Sequence, residues 1–363
     1  MFSFYLKSLL YLTVSILGSI IVLNYFADPA GIYRPSSVSP DTYASRLVKS
    51  KNGLLWPEGM FAERYLAKAL SKLHQNADCI VVGSSRVMQV SSAREHRSLN
   101  KICSSILNLS VSGAGIEDHI TLSYFVVKAG FRGRIVLGIA PWTFTFGRDP
   151  RWNKYKDDYQ LAKDIIYNEN KNLEQTPIQT LSLLSNLLNF EHSVRSFAVL
   201  TRFFAHGPLA IEEAPSFQHK IGLSDPVKLP DASHVYSYHY MKKMVQNVIT
   251  LEQATSHEYK VNQPVSPREG IHSYKTLIEW ISASGATPIM LLIPYHPMAW
   301  SKDGTAIHAA MVKTEKIAHQ MAKLTNTQLY GSYNPNIIGC NIDEFFDVMH
   351  AKDVCLQKIN YPK

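Results

Sequence analysis

The chain is short of most features that assign a protein quickly. It holds only four cysteines in 363 residues, and no two stand at the close C-x-x-C spacing of a zinc site. His74, His119, His192 and His239 also lack metal-ligand spacing, so neither a metal nor a cofactor is expected. No window has the low-complexity or heavily charged composition of a disordered chain, and no internal repeat of usable length occurs. Lys and Arg outnumber Asp and Glu, 37 to 29, for a net charge of +8, yet they are scattered. Without a basic helix, a zinc-finger spacing or an RNP-like aromatic motif, nucleic acid is not an expected partner. A dispersed basic balance suits an anionic membrane surface or an acidic polymer. The length suits one large α/β domain with insertions.

Charge is missing altogether from residues 8–27. Twenty residues at about 1.5 Å each cover roughly 30 Å, the thickness of a bilayer's hydrocarbon core. Tyr5, Tyr25 and Phe26 fall where interfacial aromatics belong. A cleaved signal peptide would have a shorter apolar region and a small-x-small site, where Phe26-Ala27-Asp28-Pro29 stands instead. Residues 1–27 are therefore read as a retained signal anchor. Lys7 and the amino terminus lie on one side, and Arg34 and Arg46 on the other, so charge does not orient the span. Cys340 and Cys355 bracket a short segment, while Cys79 and Cys103 each open a predicted strand. Disulfides Cys340–Cys355 and Cys79–Cys103 would suit an oxidising compartment; four buried thiols are the alternative.

Beyond the anchor, residues 28–75 read as a stalk and a leading helix. The stretch 28–50, rich in Pro, Ser, Gly and Tyr, suggests an irregular collar, and Leu66, Ala69, Leu70 and Leu73 share one face of a helix around 62–73. From residue 76, short apolar runs alternate with helical stretches. Cys79–Val82 ends in Gly83-Ser84-Ser85, Ser105–Leu109 leads to Ser112-Gly113, and Arg134–Ile139 ends in Ala140-Pro141-Trp142. After a break, Pro288–Ile293 ends in Pro294-Tyr295-His296-Pro297, and Gln328–Tyr330 precedes the C-terminal segment. Continuous rather than alternating hydrophobicity indicates a parallel sheet buried on both faces by βαβ crossovers. In such sheets ligands bind at the carboxyl ends of the strands. Between about 148 and 262 the rhythm gives way to a mainly helical insertion with Leu181, Leu183, Leu184, Leu187, Leu188, Phe197, Leu200, Phe203 and Phe204. That insertion is read as a cap on the main domain, and a lid or a docking face for a membrane partner is compatible with it.

A serine becomes a nucleophile when a base takes its proton and a third group orients that base. Ser85 stands where a strand turns into a helix, and its own N–H at the helix start can hold an oxyanion. The plain alternative is that Ser84 or Ser85 only caps the helix. Asp347 and His350 are three apart, and on a helical turn they would share a face, so the carboxylate could hold Nδ1–H while Nε2 faces the serine. Gly113, after a strand, can offer a second unobstructed N–H to an oxyanion. Arg86 could bind an acidic sugar or a neighbouring carboxylate. Trp142 forms a pocket wall or packs, and His296 lines the pocket or braces its loop. Ser84 completes the pocket candidates.

Taken in order, these blocks resemble the SGNH (GDSL-like) hydrolase superfamily. Gly83-Ser84-Ser85 matches its Gly-x-Ser, and Asn108 to Gly113 matches Asn-x-Gly-x-Ser-Gly with Ser110 in place of the first glycine. Asp347 to His350 matches the closing Asp-x-x-His. The likeness covers residues 76–147 and 265–363. It implies a three-layer, flavodoxin-like α/β fold over 76–363, a Ser85–His350–Asp347 triad, and an oxyanion hole from the N–H groups of Ser85 and Gly113. One block departs: Ala140-Pro141-Trp142-Thr143 stands where the family has Gly-x-Asn-Asp, so the oxyanion-donating asparagine is missing. With the N-terminal anchor and Arg86 after Gly-Ser-Ser, this is similar to the membrane-anchored envelope subgroup. That subgroup includes the D-alanine transfer protein of teichoic acid modification and the alginate O-acetylation proteins. The resemblance implies a single-pass inner-membrane protein with its catalytic domain in the periplasm. It further implies a membrane-bound O-acyltransferase as partner, and acyl transfer, most simply O-acetylation, to an envelope polysaccharide. An esterase of the same fold, or a glycan-binding scaffold of an export system, stands as the alternative.

Overall fold

In the computed structural model, residues 2–28, 38–57, 60–74, 76–147, 149–167, 187–188, 190–216, 223–246, 268–301 and 303–359 are described. Leu181, Leu183 and Leu184 of the expected cap lie outside them. In chain order the main elements are α1 (Phe2–Ala27), α2 (Pro40–Leu47), β1 (Leu54–Leu55), α3 (Glu63–Leu70), β2 (Cys79–Gly83), β3 (Ile106–Asn108), α4 (Ile116–Lys128), β4 (Arg134–Ile139) and α5 (Lys156–Tyr167). They continue with α6 (Phe190–His206), β5 (Val227–Lys228), β6 (His234–Val235), α7 (Tyr238–Gln246), α8 (Arg268–Ala283), β7 (Thr287–Leu292), α9 (Ala306–Thr325) and β8 (Gln328–Gly331).

Five strands form one sheet in the order β3-β2-β4-β7-β8, and every pairing in it is parallel. In chain order that is 2-1-3-4-5, so the order reverses at β2, and the crevice at its carboxyl end is the expected ligand site of an open α/β sheet. Alternate strand residues face opposite ways. Ile80, Val82, Ile135, Leu137, Met290 and Leu292 pack under α4, α8 and α9. Cys79, Val81, Val136, Ile289, Leu291 and Tyr330 face the other side.

That other side differs from the helical third layer the resemblance implied. It is covered by chain from 85–103 and 338–359 that holds only short helical segments, Ser85–Val87, Ile342–Glu344 and Asp353–Leu356. No long helix forms over 88–103, and near its start a distant side chain takes the backbone donors. Asp231 Oδ2 accepts the N–H groups of Ser92 and Ala93 and the hydroxyl of Ser91. Both disulfides, Cys79–Cys103 and Cys340–Cys355, lie in this thin layer. They close loops where short segments bury too little to hold themselves.

The leading segment is more than a stalk. Pro40–Leu47 is helical, with Pro at its first position and a Ser39 cap, and it buries Tyr43, Ala44 and Leu47 in the main core. The insertion is not wholly helical either. Its strands β5 and β6 make a small antiparallel sheet with β1, which ties it to the leading segment. Helix α1 is long and apolar enough to cross a membrane, and an 18-residue apolar stretch of it is left uncovered by the protein.

Candidate active site

Ser85 is set by a notch in the sheet. Gly83 and Gly138 are register partners at the ends of β2 and β4. A Cβ on Gly138 would meet Val87 Cγ1 at 2.5 Å, and one on Gly83 would meet Val87 Cγ2 at 2.8 Å. Two bare glycines thus let Val87 sink into the sheet and draw the turn before it tight against the strand ends. Ser84, buried, accepts the Arg86 N–H and caps the single 3-10 turn Ser85–Val87. The capping role therefore falls to Ser84, which leaves the Ser85 hydroxyl for other partners. Asn108 secures the same turn from the neighbouring strand, donating to the carbonyls of Val87 and Val90 at 2.8 and 2.9 Å.

His350 Nε2 lies 2.9 Å from Ser85 Oγ, and His350 Nδ1 lies 2.7 Å from Asp347 Oδ2. The serine, imidazole and carboxylate, far apart in sequence, are joined in one line of hydrogen bonds. The acid–base pair does not sit on a helix as its spacing had suggested. Residues 344–352 form a small hairpin closed by Phe346 N–H to His350 O and Lys352 N–H to Glu344 O. Asp347 Oδ1 accepts the N–H groups of Met349 and His350, both at 2.8 Å, so the aspartate folds the loop around itself. Cys340–Cys355 closes the base of this loop.

Asp347 accepts a fourth bond that the sequence did not signal. Tyr240 on α7 donates its hydroxyl to Asp347 Oδ2 at 2.9 Å, so the insertion contributes directly to the site. Burial alone would raise the Asp347 pKa. The charge of His350, its bond to the carboxylate and the two backbone donors outweigh burial and hold the group well below the usual carboxylate range. Asp347 is thus ionised across the physiological range, as a group that stabilises imidazolium must be. Burial, with the Asp347 charge, pushes the Tyr240 phenol far up, so it stays a donor. Tyr236 stacks on Tyr240 at 4.5 Å and meets Phe346 and His350 edge-on, walling the histidine with aromatic rings. Only Phe346, beside Asp347, could have been found from local sequence.

The N–H groups of Ser85 and Gly113 have no protein acceptor among the described residues. Val111 N–H bonds Gly83 O at 3.0 Å, which brings the Gly113 turn alongside the nucleophile's strand. Gly113 has a positive φ of 66°, and a Cβ there would fall 2.0 Å from Asp149 Oδ2, so glycine is required by both conformation and space. Beneath the turn, Glu63 accepts Ser112 N–H at 2.7 Å, and Arg64 pairs with Asp118 at 2.8 Å, both partners buried.

Three pocket candidates prove to be structural. Arg86 is 2% exposed; its guanidinium donates to the carbonyls of Ile293, Pro294 and Met349 and lies 3.7 Å from the Tyr295 ring centroid. It therefore faces inward and clamps the end of β7 to the loop of Asp347 and His350, where no sugar can reach it. His296 is buried; its ring Nδ1 accepts Met298 N–H while its backbone N–H donates to Val348 O, so it braces the same loop. Trp142 is buried with Nε1 donating to Ala114 O at 3.0 Å, behind the Gly113 turn. Where the family has its asparagine, Thr143 Oγ accepts Ala140 N–H and the segment turns in on itself. Cys340, Glu344 and Cys355 lie together, but the sulfurs are bonded to each other and Glu344 is held by Lys358, so they are no ligand set. No family model matches the sequence, and no curated protein matches it.

Proposed function

We propose that this chain is an SGNH-type serine acyltransferase that moves an acyl group, most simply acetyl, onto a hydroxyl of a cell-envelope polysaccharide. The observation that carries the reading is the Ser85–His350–Asp347 relay, with contacts of 2.9 and 2.7 Å, at the sheet's reversal point. Ser85 Oγ attacks the acyl carbonyl while His350 Nε2 takes its proton. The unpaired N–H groups of Ser85 and Gly113 can receive the oxyanion. The imidazolium, steadied by Asp347, returns the proton to the leaving group, and an acyl-serine remains. A sugar hydroxyl then gives its proton to His350 and attacks the acyl-serine, forming the new ester and restoring Ser85.

Two backbone donors, without the family's asparagine, favour a partner-assisted transfer over a free-standing esterase, since one such donor is worth about a hundredfold or more in rate. The apolar α1 and the two disulfides support an inner-membrane anchor with the catalytic body on the periplasmic side. In this reading a membrane-bound O-acyltransferase supplies the acyl group.

A fluorophosphonate tests the nucleophile. The wild-type chain should be labelled, and both Ser85→Ala and His350→Ala should lose the label while keeping the wild-type unfolding midpoint. Labelling that survives in Ser85→Ala, or native glycan acylated normally by cells carrying it, would sink the proposal.

A further inference from the structure

Helix α6 has a surface that water does not account for. Phe190, Val194, Phe197 and Phe204 are 83, 55, 64 and 78% exposed. Their spacings of four, three and seven place them in one stripe along the helix. Thr201 falls on that stripe too, and its hydroxyl is turned back to Phe197 O at 2.8 Å. Thr13 and Ser19 of α1 do the same, bonding Leu9 O and Ser15 O at 2.9 Å. A hydroxyl returned to its own helix is satisfied without water and so can lie in hydrocarbon.

Helix α6 also packs against α1 itself. Asn24, within the apolar span, is fully buried and donates to Leu187 O at 2.7 Å and Ser193 Oγ at 2.9 Å. A polar side chain in a spanning helix needs such a partner. Further along, Val199, Leu200 and Phe203 form one wall of an apolar groove of about 820 Å³ whose other wall runs from Ser15 to Ala27 of α1. If those α1 residues lie in a bilayer, so does what shares a groove with them. At 17 residues α6 is about 25 Å long, short of a full crossing. On the side away from the stripe, Arg202 pairs with Asp225 of the body at 3.1 Å.

We propose that α6 is a second membrane contact, an amphipathic helix lying in the phospholipid leaflet beside α1, with the Phe190–Phe204 stripe among the acyl chains. The inference rests on α1 being the membrane anchor. Two contacts instead of one stop the body swivelling on its anchor and hold the face bearing Ser85 at a fixed angle to the membrane.

The test uses the purified full chain in vesicles of phosphatidylethanolamine with phosphatidylglycerol, labelled from a diazirine on the lipid acyl chain and mapped by peptide mass. Label is expected in α1 and in residues 190–204, with α8 of the body as background. Phe197→Asp with Phe204→Asp should cut the α6 label by about tenfold or more, since carboxylates are costly among acyl chains. Label in α1 and fluorophosphonate reactivity should be unchanged. Label in α1 with α6 at the α8 background overturns the proposal while the anchor stands; label in neither overturns both. In native membranes, α6 shielded while α1 is labelled would mean that a protein covers the stripe, which also overturns it.

Discussion

Replacing Arg86 with Met separates a clamp from a substrate-binding group. The guanidinium donates to three buried carbonyls, of Ile293, Pro294 and Met349, and lies against the Tyr295 ring. Bonds to a charged group are worth about 1.5–3 kcal/mol each, so the three together amount to about 4.5–9 kcal/mol. Against this stands the cost of burying a cation without a carboxylate, which is several kcal/mol and is sharpened by the unpaired Nη1. Methionine removes that cost and restores apolar packing, but it leaves three carbonyls short of a donor at about 1–3 kcal/mol each. A net loss of about 3–5 kcal/mol is expected, a large part of a typical domain's stability. Urea unfolding of the full chain in detergent, followed by tryptophan fluorescence, reads it directly. Because Met349 lies one residue from His350, fluorophosphonate reactivity should fall as well. An unchanged unfolding midpoint with a loss confined to affinity for acidic substrates would refute the clamp.

Tyr240→Phe removes one of four bonds to Asp347 and should slow fluorophosphonate labelling about tenfold, equivalent to about 1.4 kcal/mol, with the fold intact. An unaltered rate would mean that α7 plays no part in the relay. Asp347→Asn should lower acyl-serine formation by about 10⁴-fold, since the amide cannot steady imidazolium. The folded pKa of Asp347 is depressed, so its ionisation stabilises the protein above the ordinary value near 3.9 and the contribution fades as pH falls towards the folded value. The stability gap between wild type and Asp347→Asn should thus shrink as pH falls below about 4. Cys340→Ala with Cys355→Ala opens a loop of 15 residues and should cost about 3 kcal/mol of stability. It should also slow serine labelling, since that loop carries both Asp347 and His350; equal reactivity would show that the hairpin holds its shape alone.

The sequence by itself determined the features that depend on neighbours along the chain. Continuous apolar runs such as Cys79–Val82 and Arg134–Ile139 became parallel strands because residues buried on both faces need no polar alternation. The charge-free run 8–27 became one helix of membrane-spanning length. The likeness of Gly83-Ser84-Ser85 and Asp347 to His350 to known motifs grouped Ser85, Asp347 and His350, which the structure joins by hydrogen bonds. Only tertiary structure decided what required partners far along the chain. A cation before an open strand end is ambiguous until its acceptors are known, and carbonyls at 293, 294 and 349 turned Arg86 from ligand to clamp. The turn of Asp347 and His350, which a helix could have formed, is a hairpin held by bonds from Phe346 N–H to His350 O and from Lys352 N–H to Glu344 O. Tyr240 enters the relay across 107 residues, a separation at which no local pattern marks a hydrogen bond. The third layer holds only short helical segments, and in it Asp231 takes donors some 140 residues away.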